Sequence, residues 1–361
     1  MKMGGLQENL HSSLLVPSVQ LLAAQQLESV PSRYVRDQTI ISPFQFDFDN
    51  NSPPEPVPLI DMSKLLNPHS QPLELQNLHS ACRQWGLFQL INHGVSDESL
   101  RNMKKQVDEF FKLPFEEKKL WAQKPGSLQG YGQAFVTSEE QKLDWNDMIF
   151  LKALPIQNRK LEFWPDNPPK FRETLQNYSE DIRQLVVSIT KSMAAALELN
   201  DEYKEFYECY QEGTFDVRLN CYPPCPEPER VIGMVPHADM SGITLLLDGG
   251  DVPGLQVLKD GNWVFVEPID GAIVVNIGQI IEIMSNGIYK APDHRAVVNK
   301  SRERLSVVTF CYPNPYVNIG PSKGLLQSGN RPLYKTVTLE EYFQSFYNRK
   351  LEVSFIDSLK I

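Results

Sequence analysis

Apolar residues recur at helical spacing through the first half of the chain. The most regular stripe begins after Pro168-Pro169 and predicts one helix of about seven turns; its members are Phe171, Leu175, Tyr178, Ile182, Leu185, Val186, Ile189, Met193 and Leu197. Two shorter helices flank a predicted strand at Leu87–Ile91. The first covers 73–85, and the second begins with Asp97 as its cap and stops at Pro114. A helix as long as the first needs a broad surface to lie on.

Beyond Gly213 the pattern changes to short apolar runs separated by turn-forming residues. The predicted strands are Phe215–Cys221, Ile243–Leu247, Leu255–Leu258, Trp263–Val266, Ala272–Asn276 and Leu305–Cys311. Several short strands with frequent turns indicate an antiparallel sandwich or barrel. A final amphipathic helix is predicted over Thr338–Lys350, where Thr338 and Glu341 have the spacing of a capping box.

These changes of pattern divide the chain into five segments. Residues 1–55 are predicted to be an irregular leader and linker, because 42–58 are rich in Pro, Asn, Asp and Ser. The expected segments after it are an N-terminal α/β region at 56–168, the long helix and a connector at 169–212, a β-rich core at 213–320 and a helical C-terminal segment at 321–361.

Composition narrows the choice of partners. The chain has 361 residues, of which 35 are Lys or Arg and 45 are Asp or Glu. The resulting formal charge of −10 argues against binding to nucleic acid or to anionic membranes. No apolar run approaches the roughly 18 residues of a membrane span, and the N-terminus lacks the basic-then-apolar order of a secretory signal. The five cysteines are odd in number and lack framework spacing, which fits reduced thiols. Reduced thiols fit a cytoplasmic protein. We also expect a monomer that binds a small molecule.

Three side chains in the β-rich half are of the types that ligate metals. His237 and Asp239 are two residues apart, so on a strand both would point to the same face. His294 is the remaining histidine of that half. Two histidines and a carboxylate on one face of an ion are typical of non-haem Fe(II) oxygenases, with positions left open for oxygen and a co-substrate. Taken alone, the tripeptide from His237 to Asp239 also fits a turn with satisfied hydrogen bonds. The three side chains together would also suit the zinc ion of a hydrolase.

A second group of side chains fits a dicarboxylate. Arg304 and Ser306 share a strand face by the same spacing, and a guanidinium is the preferred partner of a carboxylate. Arg304 also follows a charged turn and would be a surface residue if it belonged to it, but the apolar residues after it favour a core strand. Arg218, Asn220 and Tyr222 likewise alternate on one face, ahead of a proline-rich stop.

Together these motifs resemble the plant soluble 2-oxoglutarate/Fe(II)-dependent dioxygenases. The resemblance rests on the H-x-D…H and R-x-S motifs and on the runs 58–61, 85–94, 220–226 and 287–290. It extends from about residue 17 to the C-terminus. Residues 130–135 and 143–147 resemble the branch that contains norcoclaurine-synthase-like enzymes and codeine demethylases.

The resemblance implies a mainly β fold with α: a double-stranded β-helix (a jelly-roll, cupin-like core), an α-rich N-terminal region and the long supporting helix. It implies Fe(II) bound by His237, Asp239 and His294, and 2-oxoglutarate bound by Arg304, Ser306, Tyr222 and Asn220. O₂ would be the co-substrate and ascorbate the reductant. Family positions that line the substrate map onto Met148, Phe150, Arg218, Phe310 and Tyr312. Catalysis would proceed through the iron, and no separate acid or base residue is assigned.

The implied activity is hydroxylation or oxidative O- or N-demethylation of a small specialised plant metabolite such as an alkaloid or flavonoid, coupled to decarboxylation of 2-oxoglutarate to succinate and CO₂. The alternatives are a sibling iron oxidase that does not consume 2-oxoglutarate and a non-catalytic jelly-roll binding protein. The chain departs from the family pattern at Gln279, where an aspartate is usual, and at Ala291, where a serine is usual and Pro292 follows. Both departures concern the surroundings of the iron site.

Overall fold

The structure is a computed structural model that describes residues 14–25, 27–37, 55–125, 127–133, 136, 138–200, 203–327, 329–347 and 355–361. Parts of three predicted features lie outside these residues: most of the linker at 42–58, Ala134 and Phe135 of the branch motif, and 348–350 of the final helix.

Within the described ranges, the helices are α1 (Val19–Ala24), α2 (Met62–Leu66), α3 (Gln71–Gln84), α4 (Asp97–Lys112), α5 (Phe115–Lys118), α6 (Phe171–Ala196), α7 (Glu205–Glu208), α8 (Gln279–Met284), α9 (Lys323–Leu326) and α10 (Leu339–Tyr347). The strands are β1 (Leu59–Asp61), β2 (Leu87–Ile91), β3 (Gly130–Gly132), β4 (Asp147–Leu154), β5 (Thr214–Tyr222), β6 (Met234–His237), β7 (Ile243–Asp248), β8 (Leu255–Lys259), β9 (Asn262–Phe265), β10 (Ile273–Ile277), β11 (His294–Ala296), β12 (Arg304–Tyr312), β13 (Asn318–Ile319) and β14 (Val337–Thr338).

Two sheets form the body of the fold. The large sheet has the order β1-β2-β10-β7-β12-β5-β4-β3, and the small sheet has the order β6-β11-β8-β9. A buried apolar cluster joins them, with Leu246 and Val274 from the large sheet and Leu255 and Val257 from the small sheet. The predicted antiparallel sandwich is therefore present, and its interior lies between the two sheets.

The outer face of the large sheet carries the second layer of core. Helix α6 lies there, and the predicted stripe from Phe171 to Met193 is buried, with Tyr178 and Ile182 fully so. Val307 and Leu219, which point outward from β12 and β5, belong to the same apolar cluster as α6. Each fully buried side chain of this size contributes about 1.5–3 kcal/mol, so the stripe is a principal support of the sheet.

Helix α4 begins one residue earlier than the sequence analysis predicted. Its cap is Ser96, whose Oγ accepts the backbone N–H of Ser99 at 3.1 Å, and not Asp97. Asp97 occupies the first helical turn, where its negative charge complements the helix dipole. The hydroxyl of Ser96 takes the capping position because only that residue has the extended backbone a cap requires.

The leader is more ordered than predicted. It contains α1, whose first turn is held by the buried carboxylate of Asp147: Oδ1 accepts from the N–H of Val19 at 2.8 Å, and Oδ2 accepts from the N–H of Gln20 at 3.0 Å and from Ser18 Oγ at 2.6 Å. The chain then packs the ring of Tyr34 edge-on against Trp145, with centroids 5.2 Å apart. Residues 14–37, where described, are thus fastened beside β4.

The C-terminal helix begins as the sequence predicted. The Oγ1 of Thr338 accepts the N–H of Glu341 at 3.1 Å, and Glu341 Oε2 accepts the N–H of Thr338 at 2.8 Å, which is the reciprocal pair of a capping box. Tyr342 on this helix donates to the carbonyl of Met240 at 2.8 Å. Helix α10 therefore lies beside the turn that follows β6.

Two further expectations from the sequence are that no segment spans a membrane and that the cysteine thiols are reduced. Among the described residues, every helix is too short or too polar to cross a bilayer. The five cysteines are free and buried.

Candidate metal and co-substrate site

The two histidines of the predicted ligand set meet because their strands pair. His237 is the last residue of β6, His294 is the first residue of β11, and the two are direct partners in the antiparallel ladder. Side chains of directly paired residues lie side by side on one face of the sheet. The two imidazole rings are accordingly 4.3 Å apart between centroids.

Asp239 joins them by a different route from the one predicted. Because β6 ends at His237, Asp239 is not on a strand and the same-face argument does not apply to it. It lies in the turn to β7, where its carbonyl accepts the N–H of Gln279 at 2.8 Å. This turn, and not strand alternation, brings the carboxylate back to the histidines.

The three donor groups converge with the ring nitrogens correctly oriented. Asp239 Oδ1 lies 3.6 Å from Nε2 of His237 and 3.7 Å from Nε2 of His294. The Nδ1 atoms face the carbonyls of Val235 at 2.8 Å and Pro292 at 3.2 Å, to which only a protonated Nδ1 can donate. That tautomer leaves both Nε2 atoms with a lone pair directed towards Asp239.

The charges of the three groups are coupled. Burial opposes ionisation of Asp239, but the positive potential of His294 and His237 and a hydrogen bond from Thr244 hold its pKa well below the usual range. Burial disfavours the His237 cation as well, yet Asp239 raises the pKa of His237 above the ordinary value. Burial lowers the pKa of His294, and Asp239 offsets this only in part. An ionised carboxylate between two imidazoles is suited to a divalent cation.

The donor set fits a single iron ion. One ligand atom from each residue lies within 4.8 Å of the others. Asp239 and His294 are nearly inaccessible, whereas the side chain of His237 is 37% exposed, so the group opens on one side. Two nitrogens and one oxygen, with an open side, match the facial arrangement of non-haem Fe(II) sites.

The predicted co-substrate residues lie on the large sheet, facing the predicted metal ligands. Arg304 is paired with Tyr222, and Ser306 is paired with Asn220, so all four side chains share the inner face of β12 and β5. Asn220 Nδ2 donates to Ser306 Oγ at 3.2 Å, and Tyr222 interacts with the same hydroxyl. The same-face prediction for both strands is borne out by this register.

Asp248 is a residue of this site that the sequence analysis missed. It is the last residue of β7, and its Oδ1 accepts from Nη2 of Arg304 in a buried ion pair. The guanidinium lies 5.4 Å from the ring centroid of Tyr222, and its Nε has no partner among the described residues. Asp248 therefore orients the guanidinium of Arg304 through Nη2. The buried Nε–H of the same group is left to donate to a bound carboxylate.

One cavity connects the two groups. It is lined from both sheets, and its walls include His237, Asp239, His294, Arg218, Asn220, Tyr222, Arg304 and Phe310. Of the predicted substrate-lining residues, Arg218 and Phe310 are therefore in its wall. Met148 and Phe150 of β4 share its face by register with Asn220 and Arg218 but do not line it.

Tyr312 is also outside the cavity wall. It is the last residue of β12, is 6% exposed, and its ring contacts Phe343 of α10 at 5.4 Å between centroids. In the described structure it packs under the C-terminal helix. Its place on the inner face of β12 follows from the same alternation as that of Phe310.

Asn276 is a second missed residue. Its Nδ2 lies 3.4 Å from Asp239 Oδ2 and 3.5 Å from His294 Nε2, and its Oδ1 is buried without a partner among the described side chains. A polar residue inside the otherwise apolar strand β10 was the available signal, because a buried amide needs polar neighbours.

The two departures from the family pattern both lie beside the predicted ligands. The backbone N–H of Gln279 holds Asp239, while its side-chain Oε1 is buried and has no partner among the described residues. The N–H of Ala291 donates to Oε2 of Glu282 at 2.8 Å. Both contacts use backbone groups, so neither substitution removes them.

Comparison with known families gives two matches along the chain. Residues 57–167 match the N-terminal family that is described as non-haem dioxygenase in morphine synthesis. The 2OG-Fe(II) oxygenase superfamily matches residues 214–313, which contain all seven predicted iron and 2-oxoglutarate residues.

Two relatives match this chain over nearly their whole length. Oxoglutarate-dependent flavonoid 7-O-demethylase 1 of Ocimum basilicum is 43% identical over 352 residues, covering 97% of this chain and 92% of the relative. S-norcoclaurine synthase 1 of Coptis japonica is 43% identical over 355 residues, covering 97% of each chain.

A solved structure shares the architecture. The crystal structure of JOX2 in complex with 2OG, Fe and JA has a TM-score of 0.84 and 33% identity, covering 96% of this chain and 98% of that one. This similarity confirms the predicted fold class, a jelly-roll core with helical N-terminal elements.

Proposed function

The chain belongs to the 2OG-Fe(II) oxygenase superfamily, and from that premise we propose which residues carry its reaction and which substrates it takes. The family resemblance of the motifs, including its branch, is thereby confirmed. The protein is a 2-oxoglutarate- and Fe(II)-dependent oxygenase. When bound, iron and 2-oxoglutarate supply the oxidising chemistry: O₂ gives one oxygen atom to a substrate C–H bond and one to succinate, as CO₂ leaves.

The proposed iron ligands are His237, Asp239 and His294. Three features support this: the close donor distances, the fixed Nδ1–H tautomers and the ionised state of Asp239. These residues would hold the ion in a buried place that is open on one side.

The proposed 2-oxoglutarate residues are Arg304, Ser306, Tyr222 and Asn220. Arg304 presents a buried guanidinium, and the hydroxyls of Ser306 and Tyr222 lie beside it on one face. A dicarboxylate fits because one end would bind the ion held by His237, Asp239 and His294 while the other accepts charge-assisted hydrogen bonds on the large sheet. The single observation that carries the proposal is that Arg304, Tyr222 and Asn220 line the same cavity as the three proposed iron ligands, with Ser306 hydrogen-bonded to Asn220.

The proposed substrate is a small aromatic plant metabolite, such as a flavonoid or an alkaloid. Phe310, Val308 and Leu246 form an apolar wall of the cavity, and such a wall suits a flat ring system. We propose Met148, Phe150, Arg218 and Tyr312 as further contacts, because they share that sheet face. A flavonoid O-demethylase and an alkaloid-forming synthase among the relatives support this substrate class.

Two outcomes of the same reaction are proposed. Insertion of oxygen at a ring or alkyl C–H bond gives an alcohol. Insertion at a methyl group on oxygen or nitrogen gives a hydroxymethyl intermediate, which breaks its bond to the heteroatom and releases formaldehyde. The residues around the substrate decide between the outcomes by choosing which C–H bond faces the iron.

A substrate panel tests this function. Purified protein with Fe(II), 2-oxoglutarate and ascorbate as reductant is incubated with methylated and unmethylated flavonoids and benzylisoquinolines. We expect succinate in a one-to-one ratio with a product that has gained one oxygen or lost CH₂. Product formation without succinate would contradict use of 2-oxoglutarate and favour the sibling oxidase. Absence of both, in protein that binds metal, would contradict the proposed substrate class.

We also propose that the enzyme is a cytoplasmic monomer. Five free, buried cysteines support a reducing compartment, since none is paired in a disulfide. Light scattering of the purified protein at several concentrations tests the monomer, and a mass that rises with concentration would contradict it.

A further inference from the structure

We propose that Glu282 is a positioning residue for the iron ligands and fixes the chain segment that carries His294. The inference rests on the proposed iron site. Glu282 touches none of the three ligands directly and carries no role in the function described so far. It lies in α8, the short helix between β10 and β11.

Helix α8 is fastened at its start to the turn that carries Asp239. The N–H of Gln279 donates to the carbonyl of Asp239 at 2.8 Å, and the N–H of Ile280 donates to the carbonyl of Ser241 at 3.2 Å. Gly278 lets the helix approach this closely, because a Cβ atom there would lie 2.0 Å from the Ser241 oxygen. One end of α8 therefore fixes the carboxylate ligand.

The side chain of Glu282 reaches from α8 to the segment before His294. It is 6% exposed, and its Oε2 accepts the N–H of Ala291 at 2.8 Å. Its Oε1 accepts from the hydroxyl of Tyr334 at 2.9 Å and from Nζ of Lys290 at 3.2 Å. A buried carboxylate with three donors has a fixed position.

The held segment leads directly to the ligand. Pro292, next after Ala291, offers its carbonyl to Nδ1 of His294 at 3.2 Å, the contact that sets the tautomer of the ring. Gly86 closes the segment from the other side, since a Cβ there would lie 2.1 Å from the Lys290 oxygen and 2.8 Å from Pro292 Cδ. The segment is thus held between Gly86 and Glu282.

These contacts make α8 a rigid link between two of the three ligands. Its first residue fixes Asp239, and Glu282 fixes the approach to His294. Without the carboxylate, the N–H of Ala291 loses its acceptor and the carbonyl of Pro292 can move away from the ring. Partners that orient a metal-bound histidine typically change metal affinity by about 10- to 100-fold.

Cobalt binding tests the proposal independently of turnover. Co(II) is titrated into metal-free protein, and its visible absorption reports both affinity and ligand geometry. We expect Glu282→Ala to raise the Kd for Co(II) by about tenfold or more and to change the absorption band. Glu282→Gln should recover most of the affinity, because its amide oxygen still accepts from Ala291. Lys290→Met is the matched control: it removes a donor to the same carboxylate from a side chain that is 56% exposed, and it should leave the Kd within about twofold.

A merely structural role would lower the melting temperature and leave the Kd of the folded protein unchanged, and that result in Glu282→Ala would overturn the proposal. If Glu282→Ala does not fold, Glu282→Met, which keeps the volume without the acceptor, carries the same expectation. A loss in Glu282→Gln equal to that in the apolar variant would also contradict the role of the Ala291 contact. Failure of the unmodified protein to bind Co(II) would refute the iron site itself.

Discussion

Asp248 forms a buried ion pair with Arg304, across the boundary between β7 and β12. The carboxylate occupies one side of the guanidinium and leaves Nε buried without a partner among the described residues. Breaking a buried pair by removing one partner is costly, because the remaining charge is left uncompensated. Asp248 thus holds Arg304 in place before any co-substrate is bound.

Replacing Arg304 by lysine should raise the KM for 2-oxoglutarate by at least about tenfold. Lysine keeps the charge but loses the planar fork that can bind Asp248 and a carboxylate at once. The KM is measured from succinate formation at fixed substrate concentration. Arg302→Lys is the matched control, because Arg302 forms an exposed pair with Asp251. A KM within twofold of the unmodified enzyme would contradict the role of Arg304.

His237→Ala should abolish tight binding of Fe(II) and turnover of 2-oxoglutarate. The substitution removes one of three donor atoms and leaves a pair too weak to retain the ion. Metal content after anaerobic reconstitution and desalting measures the effect. His69→Ala serves as control, since His69 is exposed in the turn before α3. Normal metal content and turnover in His237→Ala would refute the proposed ligand set.

His93 should contribute stability that is lost in acid. Its Nδ1 accepts the N–H of Val95 at 3.2 Å, so Nε2 carries the proton and donates to the Gly271 carbonyl at 2.8 Å. Burial lowers the pKa of His93 below the ordinary imidazole value of 6.5, although the hydrogen bond to the Gly271 carbonyl acts in the opposite direction. The unfolded chain therefore binds the proton more tightly. The stabilisation is present above the unfolded pKa and is lost as the pH falls through the folded pKa.

The pH dependence is measured by chemical unfolding of metal-free protein at about pH 7.5 and about pH 5.5, on either side of the ordinary imidazole pKa. The loss of free energy of unfolding between the two should be smaller in His93→Gln than in the unmodified protein. Other titrating groups contribute equally to both. An identical loss in both proteins would contradict the assignment, and His69→Gln controls for an exposed ring.

Asp147→Ala should release the N-terminal segment and lower the free energy of unfolding by about 2 kcal/mol, as expected for losing hydrogen bonds to a buried charged group. The carboxylate anchors Ser18, Val19 and Gln20. Limited trypsin digestion should then cleave sooner after Arg33 and Arg36. Asp97→Ala, on an exposed helix start, is the control. Unchanged cleavage at both arginines would contradict the anchoring role.

Local periodicity was sufficient to predict those elements whose structure depends only on neighbouring residues. The stripe of α6 and the alternation along β5 and β12 were predicted because each depends only on neighbours within the same element. The faces of Arg304, Ser306, Asn220 and Tyr222 followed from a period of two, and the strand register bears this out.

Features that depend on distant partners were missed or misjudged. Helix α1 has six residues, too few to show a periodic pattern, and it is fixed by Asp147 far along the chain. Asp239 reaches the histidines through a turn that the N–H of Gln279 holds in place. Asp248 pairs with Arg304, which follows it by 56 residues. Glu282 accepts the N–H of Ala291, which follows it by nine residues. No local pattern encodes such pairs.

The division of the site between two sheets has a mechanical consequence. The proposed histidine ligands belong to the small sheet and the proposed co-substrate residues to the large one, so the buried apolar cluster that contains Val274 and Val257 sets the distance between the two groups. A cavity or an added methylene there would shift the iron relative to the bound 2-oxoglutarate without altering either binding group. Coupling between co-substrate decay and substrate oxidation can therefore be tuned, or lost, by core residues that never touch a ligand.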